Sequence, residues 1–191
     1  DLSNDHFPFG TGTEIEIGYS KALALRVTYV GELGWELYIP SEFAQDLYDR
    51  LLEAGKEMGL KHAGMHALNS LRLEKAYRHW GHDITDEDTP LEAGLSFAVA
   101  WDKSGGFLGR EALIRKKENG LLKKRMVQFA LENPEPLLYH NEPIWCGNTI
   151  VGDTTSGMYG HTIGSSLGMG YIENLEGVKK EWIELQKFEI E

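Results

Sequence analysis

The 191 residues are 41% hydrophobic, enough to build a packed core in one large domain or two small ones. Against 30 Asp and Glu stand 19 Lys and Arg, and the formal charge of -11 repels phosphate backbones and anionic lipid, so neither nucleic acid nor a membrane is an expected partner. The single cysteine, Cys146, excludes an internal disulfide and every multi-cysteine metal motif, and it suits a reducing compartment.

The first informative stretch is Arg26-Val27-Thr28-Tyr29-Val30-Gly31-Glu32-Leu33-Gly34-Trp35-Glu36-Leu37-Tyr38. Two β-prone runs flank Gly31 and Gly34, which predicts a hairpin. In a symmetric reversal, residues whose numbers sum to 65 face each other, pairing Tyr29 with Glu36 about 5 Å apart at Cβ. Glu32-Leu33 is a poor type I′ pair, so a four-residue loop fits better than a two-residue one. Two readings follow. Tyr29 and Glu36 hydrogen-bond each other on a half-buried sheet, or Glu36 accepts two parallel N–H bonds from a flat heterocycle while the phenol fixes its orientation.

Ser41 is placed to cap a helix whose apolar positions Phe43, Leu47, Leu51 and Ala54 recur at helical spacing, with Tyr48 and Leu52 widening the stripe and Gly59 as its stop. A second helix is predicted over 65–77, with Met65, Leu68, Leu71 and Ala76 on one side and Arg72, Glu74, Lys75 and Arg78 mostly on the other. Residues 79–90 read as a polar connection, and 91–101 return to apolar residues. The best boundary is 103–106. Beyond it, 126–131, 144–151 and 166–172 read as strands separated by Gly and Pro, giving an all-β last third, a small barrel or sandwich. The whole is α+β.

No apolar run approaches the ~18 residues that span a bilayer. The chain has no initiating Met, and residues 182–191 read as a strand that stops without a turn signal, so an excised fragment is expected. The glycines form no phosphate-cradling or dinucleotide loop, which leaves FAD or nicotinamide binding within these residues unsupported.

Other chemistry-bearing residues are weaker candidates. His62 and His66 stand four apart, the spacing at which two imidazoles reach one metal, yet no third ligand is evident. His79 and His82 beside Asp83 suit either an acid/base cluster or a surface loop. The run Asp83, Asp86, Glu87, Asp88 lacks the spacing of a calcium loop and reads as solvated. Ser156 lacks a nucleophile elbow and reads as structural. Trp80, Trp101, Trp145 and Trp182 read as core or barrel packing.

The 26–38 stretch resembles the Tyr-Thr-Gly-Glu-x-Gly-x-Glu motif of the aminomethyltransferase family, which includes the glycine cleavage T-protein and the folate-binding C-terminal halves of dimethylglycine and sarcosine dehydrogenases. Further agreement comes, in order, from Asn69-Ser70-Leu71-Arg72-Leu73-Glu74-Lys75-Ala76-Tyr77-Arg78-His79-Trp80-Gly81, Thr89-Pro90-Leu91-Glu92-Ala93-Gly94-Leu95, Gly106-Phe107-Leu108-Gly109-Arg110-Glu111-Ala112-Leu113, Val151-Gly152-Asp153-Thr154-Thr155-Ser156-Gly157 and Leu167-Gly168-Met169-Gly170-Tyr171. The resemblance implies part of a folate-binding domain over 1–102 and a C-terminal β-barrel, expected to be truncated, over 103–191. It implies tetrahydrofolate contacts at Tyr29 and Glu36. A pterin-contacting arginine of the T-protein branch falls on Leu68, and the wording around Leu68 and Trp80 is closer to the dehydrogenase branch.

In that branch an N-terminal flavin domain of the parent chain, carrying FAD, oxidises an N-methyl amine, and the folate domain captures the one-carbon unit as methylene-tetrahydrofolate. The family's catalytic Asp lies upstream of the matched region, so no catalytic residue and no metal ligand is assigned here, and these residues alone are expected to bind folate weakly. The resemblance places the protein in the bacterial cytoplasm or mitochondrial matrix. A non-catalytic regulatory or scaffold relative and a T-protein-like aminomethyltransferase are the alternatives. The iron-sulfur-maturation relative carries a cysteine motif where this chain has Ser104-Gly105-Gly106-Phe107, which disfavours it.

Overall fold

A computed structural model describes residues 1–191, which form two compact units, 1–69 and 70–191. In the first unit, β1 (Gly12–Ile17) and β2 (Ser20–Leu25) pair through a tight turn at Gly18, whose φ of 60° suits a residue without Cβ. Ser20, Ala22 and Ala24 of β2 are buried while Lys21 and Leu23 face outward, the period-2 signature of a one-sided strand. β3 (Glu36–Tyr38) completes the antiparallel order β1-β2-β3.

The observed register corrects the predicted hairpin. Leu23 pairs with Tyr38, Ala24 with Leu37 and Leu25 with Glu36, so Glu36 faces Leu25 and not Tyr29. The chain leaves the β2–β3 ladder at Arg26. There the backbone N–H bonds to Thr11 O, and the buried guanidinium donates to Phe7 O and Asn4 Oδ1, drawing residues 26–35 into a loop.

α1 (Ala44–Gly55) follows a 3-10 turn at Ser41–Phe43 and buries Leu47, while Leu51 and Tyr48 stay exposed. Ser41 makes no side-chain cap bond. α2 (Met65–Glu74) ends short of residue 77 because Ala76 adopts φ 52°. Ala76 N–H bonds to Leu73 O and Tyr77 N–H to Arg72 O, the bond pair of a Schellman cap with alanine where glycine is usual.

The second unit is built on one antiparallel sheet. Its strands are β4 (Lys124–Ala130), β5 (Pro143–Cys146), β6 (Thr149–Gly160), β7 (Ser165–Glu173) and β8 (Phe188–Ile190), in the order β4-β7-β6-β5-β8. Two helices accompany it, α3 (Arg110–Asn119), bounded by left-handed Gly109 and Gly120, and α4 (Lys180–Leu185), so the last third is not purely β. Met126, Leu167, Met169 and Tyr171 pack with Leu73 on one face of the sheet. Ile144, Ile172 and Val178 pack with Phe129, Trp182 and Phe188 on the other. Residues 70–102 belong to this unit because their polar groups bond to β6, Ser70 Oγ donating to Tyr159 O and Asp83 accepting from Ser156.

Candidate functional site

Glu36 opens β3 and is exposed. One carboxylate oxygen accepts the Tyr38 hydroxyl at 2.7 Å. Positions i and i+2 of a strand share a face, so the phenol that orients this carboxylate is Tyr38, a residue the sequence reading missed although the spacing was available to find it. The hydrogen bond to Glu36 and the carboxylate's charge push the Tyr38 hydroxyl above its ordinary pKa. No bond engages the second oxygen of Glu36, which leaves an oriented acceptor facing solvent.

Tyr29 lies in the 26–35 loop, half-buried, with its hydroxyl oxygen shielded from solvent. The structure therefore does not set Tyr29 and Glu36 opposite each other on a ladder. The loop's other anchor is Trp35, whose ring lies 5.6 Å from the Arg26 guanidinium and 6.3 Å from the Phe7 ring. Leu68 is half-buried on α2. His62 is bound by the Tyr48 hydroxyl at 3.0 Å with the rings stacked.

In the second unit the most constrained chemistry surrounds Asp83, which is 1% exposed and corrects the expectation of a solvated loop carboxylate. Arg72, expected on the polar side of its helix, is also buried, and its guanidinium meets Asp83 at 2.6 Å and Ser156 Oγ at 2.7 Å. Ser156 Oγ and Thr155 Oγ1 each donate to Asp83 at 2.6 Å, and the His79 backbone N–H adds a fourth bond at 2.8 Å.

Strict alternation would send Thr155 and Ser156 to opposite faces. The ladder shifts register between Thr154 and Ser156, so the bulge turns both hydroxyls toward one carboxylate. Burial by itself would raise the Asp83 pKa. The bonds from Ser156, Thr155 and His79 and the Arg72 charge outweigh it and hold the carboxyl below its usual range.

Asp83 takes the backbone N–H of His79 and leaves the imidazoles alone, so no Asp–His acid/base pair forms. The rings of His79, His82 and His140 instead stand near one another, 5.8 and 5.4 Å apart along the series. Of the remaining acidic run, Asp88 accepts from Thr85 and Lys124 and is structural, while Asp86 and Glu87 are exposed. Trp182 packs against Phe188, and Trp101 lies beneath the Lys117 ammonium at 4.2 Å. Trp80 departs from the expected core role and is 67% exposed.

The sequence pattern of the GCVT N-terminal domain matches residues 1–103, and that of the glycine cleavage T-protein C-terminal barrel domain matches 124–191. The chain belongs to the glycine cleavage T-protein family. It is 46% identical to the 4-methylaminobutanoate oxidase (formaldehyde-forming) of Paenarthrobacter nicotinovorans, over 91% of this chain and 21% of that protein. It is 41% identical to the mitochondrial dimethylglycine dehydrogenase of Homo sapiens, over 90% of this chain and 20% of that one. The crystal structure of the glycine cleavage system aminomethyltransferase T from Bartonella henselae superposes with a TM-score of 0.75 at 27% identity, covering 86% of this chain and 44% of that one. The chain thus spans about a fifth of the length of these two relatives. No helix is long and apolar enough to cross a membrane.

Proposed function

We propose that residues 1–191 are part of a tetrahydrofolate-binding one-carbon transfer module, within a longer FAD-dependent dehydrogenase of N-methyl amines such as dimethylglycine or sarcosine. The observation that carries this reading is the Glu36 carboxylate, exposed, aimed by Tyr38 and with one oxygen unengaged. The pterin ring edge presents an amino group and a ring N–H side by side, which a carboxylate meets with parallel charge-assisted bonds. Tyr29, seven residues earlier on the loop, is proposed to contact the same ring. Leu68 supplies an apolar surface where the T-protein branch has an arginine, so this chain relies more heavily on Glu36.

Tetrahydrofolate, when bound, accepts the one-carbon unit, and the residues here hold and orient it. No dinucleotide-binding loop occurs in these residues, so they do not fit FAD, which is assigned to the longer polypeptide along with the oxidation. The same relatives support a place in the cytoplasm or the mitochondrial matrix.

Anaerobic titration calorimetry of the full-length parent protein with tetrahydrofolate tests the assignment. Glu36→Gln keeps the side-chain volume and loses the charged acceptor, and is expected to weaken binding by roughly 10- to 100-fold. Tyr38→Phe frees the carboxylate to rotate and is expected to weaken it by about three- to tenfold. Unchanged affinity in Glu36→Gln rejects the role of Glu36. Absence of binding by the unaltered protein favours a scaffold role instead.

A further inference from the structure

Tyr29 lies within residues 26–35, which belong to no helix or strand, and Glu36 is the residue at which that loop enters β3. A ligand contact carried by such a loop is aimed only as well as the ends of the loop are held. Here the first residue of the loop grips the last.

The backbone of Arg26 is pinned in two directions, its N–H bonding to Thr11 O and its carbonyl oxygen accepting the Gly10 N–H, each at 2.9 Å. Its side chain is 8% exposed, and its two terminal nitrogens donate to Phe7 O and to Asn4 Oδ1. The same guanidinium lies over the Trp35 ring, 5.6 Å from its centroid, and the buried Phe7 ring meets that indole at 6.3 Å. The Trp35 Nε1 is shielded from solvent and has no hydrogen-bond partner, so the indole is held by these ring contacts and not by a bond of its own. Inside the loop, Val30 N–H bonds to Thr28 Oγ1 at 3.3 Å and Gly31 adopts φ 74°, which bends the chain next to Tyr29.

We propose that Arg26 is a positioning residue for the ligand contacts of Glu36 and Tyr29, a role that rests on the tetrahydrofolate reading of Glu36. By clasping Trp35 across the neck of the loop, Arg26 fixes where Glu36 enters β3 and how the chain around Tyr29 is shaped. It touches no ligand itself, since its fork is buried and spent on Phe7 and Asn4. Lysine keeps the charge and loses the planar fork that serves two acceptors and a ring together.

Anaerobic titration calorimetry of the full-length parent protein with tetrahydrofolate is the test. Arg26→Lys is expected to weaken binding by roughly tenfold at unchanged stoichiometry. Asn4 is exposed, so Asn4→Ala removes one acceptor of the fork without disturbing a core, and is expected to weaken binding by about two- to fivefold. Asn4→Asp keeps the acceptor and is expected to bind as the unaltered protein does. Because Arg26 acts through Glu36, the loss from Arg26→Lys is expected to shrink to about threefold or less when Glu36→Gln is already present. A readout without folate is cleavage by a glutamate-specific protease after the exposed Glu32, expected to be about tenfold faster in Arg26→Lys. Absence of binding by the unaltered parent overturns the folate reading and this proposal with it. Where the unaltered parent binds, the role of Arg26 alone is overturned by unchanged affinity in Arg26→Lys, by fewer sites at unchanged affinity, by losses that add fully with Glu36→Gln, by Asn4→Asp failing as Asn4→Ala does, or by unchanged cleavage at Glu32.

Discussion

Asp83 carries four hydrogen bonds inside a packed unit, and removing its charge strands the buried guanidinium of Arg72. Asp83→Ala is therefore expected to destabilise the fold by about 3–5 kcal/mol, read as a lower urea midpoint. A loss below about 1 kcal/mol would show that Arg72 finds another partner. The importance of Asp83 could not be read locally. Its neighbours His82, Asp86 and Glu87 are polar, while the partners that bury it, Thr155 and Ser156, lie more than seventy positions away. Glu36 is singled out in the sequence by a short motif, which supports the binding role proposed for it. Tyr38 was equally legible from i, i+2 spacing and was obscured only by the expectation that Tyr29 stood opposite.

Strand pairing explains both the successes and the misses at the next scale. The runs that became β4, β5 and β7 were visible because β-branched and aromatic residues lie between Gly and Pro. The register of β3 was not, since two glycines mark a reversal without saying how many residues the loop takes, and Arg26 decides that by turning inward. α3 was missed because its charged sequence, Arg-Glu-Ala-Leu-Ile-Arg-Lys-Lys-Glu-Asn, has only a narrow apolar stripe. The glycines of β6 and β7 have a role that composition hides. A Cβ at Gly170 would run into the Asp153 carbonyl oxygen, and one at Gly152 into the Tyr171 carbonyl oxygen. Gly170→Ala is expected to force the two central strands apart and to cost about 1–3 kcal/mol or more. An unchanged urea midpoint would mean that the β6–β7 pair yields without loss.

Across the whole molecule the acidic composition acts in two opposed ways as pH falls. Protonation of exposed carboxylates relieves the repulsion of a chain carrying -11, which favours the compact state and is weakened by salt. Four carboxyls of the second unit behave differently. At Glu74, Asp83, Asp88 and Glu92 burial works against the charged form, yet hydrogen bonds and ion pairs prevail and hold each pKa below its ordinary value. A carboxyl with a depressed folded-state pKa contributes stability that is present above its unfolded value, about 4, and is lost as pH falls through the folded one. Relief of repulsion is spread over many screened charges, whereas the loss is concentrated in the polar network that ties residues 70–102 to the sheet, so the loss wins below about pH 4. Segment-resolved hydrogen exchange in urea from pH 7 to pH 3 should show residues 70–191 holding their midpoint down to about pH 4 and then losing it, with 0.5 M salt altering the first region more than the second. A midpoint that rises continuously to pH 3 would mean that repulsion, and not the buried carboxylates, sets the acid limit of this unit.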